Sequence, residues 1–189
     1  MFYDMKNQIR RQNKSKRSAM SKDDVVEKSK AAARVFTECE LYKNAKQLMV
    51  YIPLGNETDT GDIITAGFRD GKRLVLPVTD PETGEITPCL YEKDTKLAKG
   101  TFSVTEPVGA TSADMSKTDV VLVPGIAFDL SGNRAGFGKG CYDRLLKDTA
   151  AVKVGFCYDF QVCSKIPAEK HDVKMDFLVT ESGIICMDK

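Results

Sequence analysis

The chain of 189 residues has a formal net charge of +1 and is 42% hydrophobic, which is typical of one soluble domain with its own core. No apolar run is long enough to span a membrane, and the basic, polar N-terminus does not resemble a signal peptide, so we predict a cytoplasmic protein. The near-neutral charge neither requires nor excludes a polyanionic partner. We find no internal repeat, low-complexity segment or linker, so residues 1–189 are predicted to form a single domain.

Six cysteines are present, and none of them form a CxxC pair or a regular framework. In a chain long enough to bury a core without crosslinks, most cysteines are expected to be small buried hydrophobic side chains. We therefore predict neither a disulfide framework nor a zinc site. The cysteines are Cys39, Cys89, Cys141, Cys157, Cys163 and Cys186.

The first 22 residues hold seven basic side chains and one acid, so their net charge is +6 and that of the remaining chain is −5. The segment lacks Gly and Pro and is predicted to be helical, with Lys6, Arg10, Lys14 and Arg17 on one face. Three interpretations are open: a solvated face, a contact with nucleic acid, or a clamp on the phosphate of a small molecule. The scarcity of aromatic residues disfavours the nucleic-acid contact.

A second, amphipathic helix is predicted after the basic segment. Ser21 and Asp24 form a capping-box pattern at its start, and the apolar spacing continues to about Thr37. The apolar run 47–52, which is stopped by Pro53, predicts a buried strand.

The next stretch predicts a helix and a second strand. Thr60 is a plausible N-cap for a helix that ends near Arg69, and residues 73–78 form an apolar run. This βαβ order predicts an α/β protein with a parallel sheet, in which ligands usually bind beyond the carboxyl ends of the strands. Glu57 and Asp59 lie there, so they either contact a ligand or only favour the helix N-terminus, by up to about 1 kcal/mol.

The remaining elements are shorter. Residues 81–84 predict a turn, residues 86–91 a strand of a hairpin or of a small side sheet, and residues 94–118 mostly loop. Further short strands are predicted at 151–157, 176–180 and 183–187.

The stretch from Val120 to Leu146, VVLVPGIAFDLSGNRAGFGKGCYDRLL, passes from an apolar run through a glycine-rich loop to a helix start. This order is typical of phosphate binding, because glycines let backbone N–H groups approach an anion and the helix adds its positive end. Arg134 and Lys139 are spaced to reach different phosphate oxygens, and Asp143 is suited to hold magnesium. The alternative is a tight turn with ordinary surface charges.

The loop does not match the strict phosphate-loop patterns. In a Walker A alignment, Asn133 occupies the first glycine position, and Gly140 instead of Ser or Thr follows Lys139. A Rossmann fingerprint would begin directly after the strand, whereas more than ten residues intervene here. Generic nucleotide-binding folds are therefore only weakly supported.

VPGIAFDLSGNRAGFGKGCYDRLL closely resembles the signature of the 5-formyltetrahydrofolate cyclo-ligases, also called methenyltetrahydrofolate synthetases. Lys6 and Arg10 match an N-terminal Lys-x-x-x-Arg, Glu57 and Thr60 match an acid and a threonine after the first strand, and IPAEKHDVKMDFLVTE resembles the closing motif. The resemblance covers essentially the whole chain. It implies a three-layer α/β/α fold, Rossmann-like and NagB-type, with a mostly parallel central sheet and a small additional β element.

The resemblance also implies roles for individual residues, and it favours the phosphate clamp for the basic helix. The implied ATP-binding residues are Lys6, Arg10, Arg134, Gly136, Phe137, Gly138, Lys139, Gly140, Cys141 and Tyr142, of which Lys6, Arg134 and Lys139 are also catalytic candidates. Folate is expected to contact Ile52 and Glu57, whose carboxylate suits the adjacent donors of a pterin. Magnesium is expected to be held by Asp143 and Asp176.

The implied reaction is the ATP- and Mg-dependent closure of 5-formyltetrahydrofolate to 5,10-methenyltetrahydrofolate, with release of ADP and phosphate. No enzyme nucleophile is needed, which fits a sequence without a Ser-His or Cys-His constellation. The expected partners are folate and ATP, with no nucleic acid and no membrane, and the expected state is a monomer. The alternative function is a non-catalytic ATP- or RNA-binding module.

Two residues of the loop depart from the family pattern. Cys141 stands where a tyrosine is common, and Phe137 stands where an arginine or a tyrosine often occurs. These changes affect the expected contacts of the loop but not its glycines, Arg134 or Lys139. His171, the only histidine, is a candidate acid or base whose tautomer Asp172 could fix. We expect a structural role instead, because the implied chemistry needs no histidine.

Overall fold

The computed structural model describes residues 2–187. Its helices are α1 (Phe2–Ser18), α2 (Lys22–Glu38), α3 (Glu40–Asn44), α4 (Gly61–Arg69) and α5 (Cys141–Leu146). Its strands are β1 (Gln47–Met49), β2 (Arg73–Thr79), β3 (Ile86–Tyr91), β4 (Leu97–Lys99), β5 (Thr105–Pro107), β6 (Val120–Val123), β7 (Ala127–Asp129), β8 (Arg134–Ala135), β9 (Val152–Phe156), β10 (Val162–Cys163), β11 (Phe177–Thr180) and β12 (Gly183–Cys186).

Seven strands form the central sheet in the order β12-β11-β9-β6-β1-β2-β3. The five inner strands are parallel to one another, and β3 and β12 pair antiparallel at the two edges. Two small sheets, β10-β7-β8 and β4-β5, lie apart from it. The α/β fold with a mostly parallel central sheet and additional β elements is confirmed.

Residues of the inner strands alternate between two apolar clusters. Leu48 of β1 packs with Phe36 of α2 and Ile63 of α4, whereas its neighbour Met49 packs with Leu146 of α5. Successive side chains of a strand point to opposite faces of the sheet, so these clusters lie on opposite faces. The apolar runs are therefore buried on both sides, as expected of a parallel sheet between helices.

The first strand is shorter than the predicted 47–52. The N–H of Val50 still donates to the carbonyl of Val75, but the carbonyl of Tyr51 accepts the hydroxyl of Thr60. β1 therefore ends at Met49, and the chain leaves the sheet after the hydrogen bond of Val50. Thr60 occupies the predicted N-cap position of α4, yet its side chain does not cap the helix because it bonds Tyr51 instead.

The predicted capping box is present at α2, where the Ser21 hydroxyl accepts the N–H of Asp24 and the Asp24 carboxylate accepts the N–H of Ser21. The interpretation of residues 94–118 as mostly loop is correct in part, since β4 and β5 form a short antiparallel pair there. The strand prediction for 86–91 is confirmed as a hairpin with β2.

The glycine-rich stretch is not one continuous loop. Its first half is the antiparallel pair β7 and β8, joined by a turn in which the Asp129 carboxylate accepts the N–H groups of Ser131 and Asn133. Gly132 lies in this turn with φ +80°, and a Cβ there would lie 2.6 Å from the backbone oxygen of Met175. Gly132 is therefore required by the turn, and the glycines left for a phosphate loop are Gly136, Gly138 and Gly140.

The cysteine prediction is correct in part. Cys89 and Cys157 are buried, Cys186 is exposed, and the other three are half-buried. All six are free. Within residues 2–187, no helix combines the length and the apolar character that crossing a membrane requires.

Candidate active site

The candidate site lies at the carboxyl ends of β1 and β6, where the order in which strands are added to the sheet changes direction: β2 is added on one side of β1 and β6 on the other. β1 lies between β6 and β2, so its following loop and the loop after β6 extend from neighbouring carboxyl ends. In open α/β sheets, ligands bind in the crevice at such a switch point. Glu57 follows β1, and the glycine-rich stretch follows β6.

The phosphate-loop candidate is the segment 136–140, between β8 and α5. Gly138 and Gly140 have φ values of +97° and +65°, in the left-handed region that favours glycine. At Gly136, a Cβ would lie 2.8 Å from Nη1 of Arg134. The loop therefore uses two glycines for its backbone path and one to leave room for the arginine.

Arg134 is buried below this loop. Its Nη2 lies 3.0 Å from Oδ2 of Asp143, its Nη1 donates to the carbonyl of Pro124 at 3.3 Å, and its guanidinium lies 5.7 Å from the centroid of the Tyr142 ring. Its Nε is buried without a hydrogen-bond partner among the described residues. Arg134 is thus oriented by fixed contacts, and it retains one donor that a ligand oxygen could satisfy.

Helix α1 contacts the same loop through Arg10 and the closing motif through Lys6. Nε of Arg10 donates to the carbonyl of Gly136 at 2.8 Å, and Nη1 of Arg10 donates to Oδ1 of Asn7 at 2.7 Å. Nζ of Lys6 lies 2.6 Å from Oδ2 of Asp172, in an ion pair whose side chains are 8% and 12% exposed. Arg10 therefore joins α1 to the glycine loop, and Lys6 joins α1 to the closing motif.

A cleft of about 560 Å³ separates α1 from the loop. Cations dominate the cleft wall, and Lys139 is exposed in the adjoining loop segment. This surface is suited to a polyanion, because several basic side chains converge on one concave region. The lining residues are Asp4, Asn7, Arg10, Arg11, Lys14, Phe137 and Gly138.

The two departures from the family pattern occupy different surroundings. The Phe137 ring is half exposed, with Nζ of Lys14 at 5.2 Å and the guanidinium of Arg17 at 5.7 Å from its centroid. Cys141, the first residue of α5, is half-buried, with its Sγ 3.9 Å from Nη2 of Arg144. Phe137 is therefore placed among cations that α1 supplies.

Glu57 is a buried carboxylate, 6% exposed. Its Oε2 accepts the N–H of Leu54 at 2.9 Å, and its Oε1 lies 3.5 Å from Nη1 of Arg17. Burial raises the pKa of Glu57, and the hydrogen bond from Leu54 and the charge of Arg17 oppose that rise only in part. Ile52 is partly buried and packs against the cluster that contains α2 and α4.

The magnesium candidates do not share partners. Asp143 accepts from Arg134 and, at 3.2 Å, from the N–H of Val173. Asp176 precedes β11 and accepts the backbone N–H of Lys153 at 2.8 Å, with the Lys153 ammonium at 3.1 Å. No group of three acidic, His or Cys residues within 2–187 is arranged to hold a metal ion.

Magnesium is often held by one or two carboxylates together with substrate phosphates. Asp143 fits that requirement, since it adjoins the glycine loop and its two oxygens have further lone pairs. Asp176 lies beside Lys153, near the amino ends of β9 and β11, and the structure does not bring it together with Asp143.

His171 is exposed, with its Nε2 at 3.7 Å from Glu169 and 4.0 Å from Asp172. The suggestion that Asp172 fixes the histidine tautomer is not supported, because the Asp172 carboxylate is bound to Lys6 and accepts the N–H of Glu169 at 2.8 Å. Asp172 thus links the closing motif to α1. Sequence reasoning noticed Asp172 only as a neighbour of His171, and no periodicity signals a pairing across 166 positions.

Arg17 is the second residue whose contacts were missed. Its place on the basic face of α1 was predicted, but its approach to both Glu57 and Phe137 was not. The only available signal was the spacing of four cations on one helix face.

Residues 3–181 match the model of the 5-formyltetrahydrofolate cyclo-ligase family. The 5-formyltetrahydrofolate cyclo-ligase of Escherichia coli is 29% identical over 177 residues, covering 90% of this chain and 97% of that protein. The enzyme of the same name from Saccharomyces cerevisiae is 30% identical over 203 residues, covering 94% and 95%.

Among solved structures, the 5,10-methenyltetrahydrofolate synthetase of Aquifex aeolicus is similar to this chain with a TM-score of 0.84 and 32% identity. The similarity covers 98% of this chain and 94% of the other. It therefore includes α1 and the closing motif as well as the central sheet.

Proposed function

Because the chain belongs to the 5-formyltetrahydrofolate cyclo-ligase family and is an enzyme of it, we propose that it converts 5-formyltetrahydrofolate and ATP to 5,10-methenyltetrahydrofolate, ADP and phosphate, with magnesium. One observation carries the proposal. Helix α1 contacts the glycine loop through Arg10 and the carboxylate beyond β1 through Arg17. Helix α1 thus links the candidate ATP loop to the candidate folate carboxylate.

The formyl oxygen is a poor leaving group, so the γ-phosphoryl group of ATP is transferred to it. N10 of the same folate then attacks the formyl carbon, the C–O bond to phosphate breaks, and N10 loses its proton. No group on the protein forms a covalent bond to the substrate. The protein is left with positioning and with neutralising charge, which are the main demands of phosphoryl transfer.

The described residues divide these tasks. Arg10 and the backbone of Gly136, Gly138 and Gly140 orient the phosphates, and Lys139 stabilises the charge on the transferring group. The unpaired Nε of Arg134 donates to a phosphate oxygen. Because Lys6 is held by Asp172, it contributes positive charge from a fixed position.

Glu57 binds the folate. As a buried carboxylate, it is suited to accept two adjacent N–H donors of the pterin ring, which gives orientation as well as binding energy. Ile52, nearby in the chain after β1, offers apolar contact.

Magnesium, when bound, neutralises charge between the phosphates. Asp143 is the carboxylate we assign to it. Asp176, the other candidate, would first have to give up its contacts with Lys153. An Asp143→Asn variant is therefore expected to need more magnesium for half-maximal rate, whereas Asp176→Asn is expected to keep the wild-type requirement.

The test of the function is direct. Protein, Mg-ATP and 5-formyltetrahydrofolate are mixed, and the near-ultraviolet absorbance of the conjugated methenyl product is followed. We expect an ATP-dependent increase that EDTA abolishes. If ATP binds but no ATP-dependent signal develops, the protein is a binding module instead, and a salt-sensitive affinity for RNA would identify that alternative. A cytoplasmic location, a monomeric state and a single domain stay predictions.

A further inference from the structure

A buried ion pair connects α1 to the loop that follows β1. Nη1 of Arg17 lies 3.5 Å from Oε1 of Glu57, and the two side chains are 11% and 7% exposed. Burying a carboxylate costs several kcal/mol unless a counter-charge and hydrogen bonds compensate it. Within residues 2–187, the groups recorded as bonding the Glu57 carboxylate are Arg17 and the N–H of Leu54.

The other ionisable groups around Glu57 give it no positive charge. Tyr51, two residues after β1, is buried and Tyr142 of α5 is half-buried, and burial followed by the charge of Glu57 raises the pKa of each phenol. Tyr158 after β9 donates its hydroxyl to the backbone carbonyl of Glu57 at 3.3 Å, not to its carboxylate. The compensating charge at this carboxylate therefore comes from Arg17 on α1.

Arg17 is held from its other side by the glycine loop. Its guanidinium lies 5.7 Å from the centroid of the Phe137 ring, within the range of a cation–π contact. In this chain, Arg17 therefore lies between the candidate folate carboxylate and the candidate ATP loop.

We propose that Arg17 is a positioning residue of the folate site: it orients the Glu57 carboxylate and supplies the counter-charge that its burial requires, and Phe137 holds Arg17 in place. The role in folate binding rests on the proposed function, whereas the pairing itself does not. Arg17 acts on the substrate through Glu57, and the contact with Phe137 makes that action sensitive to the conformation of the glycine loop.

The test compares Arg17→Met and Arg17→Lys with Lys16→Met. Lys16 is an exposed cation on the same helix, so it controls for the loss of one charge from α1. The carboxyl pKa of Glu57 is measured from the pH dependence of its ¹³C shift. The KM values for 5-formyltetrahydrofolate and for Mg-ATP are measured across the same pH range.

Arg17→Met is expected to raise the Glu57 pKa by at least about one unit, since an opposite charge at this distance typically shifts a carboxyl by one to three units. The folate KM should then rise by about tenfold at a pH below the raised pKa, because the ionised carboxylate binds folate and one pKa unit corresponds to a tenfold change in the ionised fraction. At higher pH, where Glu57 is ionised again, the folate KM should recover in part. Arg17→Lys should lie between wild type and Arg17→Met. Lys16→Met should leave the Glu57 titration and both KM values unchanged.

An unchanged Glu57 titration in Arg17→Met would overturn the pairing. A rise in the Mg-ATP KM with an unchanged folate KM would overturn the positioning role and assign Arg17 to the phosphates. If Arg17→Met does not fold, the test uses Arg17→Lys. A Glu57 pKa and a folate KM equal to those of wild type in Arg17→Lys would then refute the proposal. Because the titration needs no turnover, an inactive wild-type protein with the expected shift would refute the proposed function and leave the pairing intact.

Discussion

The charges of the candidate site and those of the cleft at the opposite end of the central sheet differ in burial. At the carboxyl ends, three ion pairs have side chains between 7% and 16% exposed, and they join Lys6 to Asp172, Arg134 to Asp143, and Arg17 to Glu57. At the amino ends, the larger cleft of about 830 Å³ lies among β1, β2 and β3. Its charged lining residues are Lys46, Lys72, Arg73, Glu92, Lys93, Lys117 and Asp119, and all are exposed except Lys72, which is half-buried.

The charges of the amino-end cleft have simple structural explanations where their contacts are recorded. Asp119 accepts the N–H groups of Lys46 and Gln47, and the Lys72 ammonium donates to the carbonyls of Lys43 and Ala45. Exposed charges of this kind cost little to maintain. The buried pairs at the carboxyl ends cost desolvation energy, and strongly perturbed groups concentrate at functional sites. Desolvated charge therefore identifies the site better than cleft volume does.

The largest expected effect is at the Lys6 and Asp172 pair. Asp172→Asn leaves a buried ammonium without its counter-charge, so the free energy of unfolding should fall by about 3–5 kcal/mol. Urea unfolding at neutral pH measures it. An Asp172→Asn protein as stable as wild type would mean that this pair is no different from an exposed one.

The same pair predicts a pH dependence. Burial raises the pKa of Asp172. The hydrogen bonds from Lys6 and from the N–H of Glu169, together with the charges of Lys6 and His171, outweigh burial, so the net pKa lies below the ordinary value. A depressed carboxyl pKa contributes stability above the unfolded-state pKa, which is lost as the pH falls through the folded-state pKa. The difference between wild type and Asp172→Asn should therefore shrink below about pH 4, near the unfolded-state value for Asp.

Lys139→Ala tests the glycine loop. Removal of a group that stabilises charge in the transition state should lower kcat by about 100- to 1,000-fold. Because Lys139 is exposed, the melting temperature should stay close to that of wild type. Lys46→Ala at the amino-end cleft is the matched control, with kcat unchanged. Wild-type turnover by Lys139→Ala at saturating ATP would remove this residue from the proposed mechanism.

Glu57→Gln tests the folate carboxylate. Loss of charge-assisted hydrogen bonds to the substrate should raise the folate KM by about 10- to 100-fold and leave the KM for Mg-ATP unchanged. As the pH falls through the raised pKa of Glu57, wild type should lose folate affinity, whereas Glu57→Gln should not change over that interval. If Glu57→Gln retains the wild-type pH profile, another group is responsible for it.

The smallest expected effect is at the exposed pair of Lys117 and Asp114, 3.6 Å apart with side chains 64% and 52% exposed. Lys117→Met should change the free energy of unfolding by less than about 1 kcal/mol and leave both KM values unchanged. Urea unfolding and steady-state kinetics check this together. A loss comparable to that of Asp172→Asn would contradict the contrast between the two ends of the sheet.

Local patterns predicted much of the fold. The capping box at Ser21 and the apolar runs that form β2 and β3 are short-range features, and each is present as predicted. The predicted strand 47–52 was too long. The carbonyl of Tyr51 accepts a hydrogen bond from the hydroxyl of Thr60 instead of from a neighbouring strand, and the hydrophobic pattern contains no signal for that contact. The hairpin of β7 and β8 was missed because the glycines around it favoured the interpretation as a loop.

The sequence by itself determined the fold class, the family and the residues of the glycine loop, since these depend on periodicity and on a long contiguous motif. It also placed the cations of α1 on one face. Only the tertiary structure decided which opposite charges they meet: Asp172 for Lys6 and Glu57 for Arg17. Such pairs join positions far apart in the chain, and their strength depends on burial, which no local pattern records.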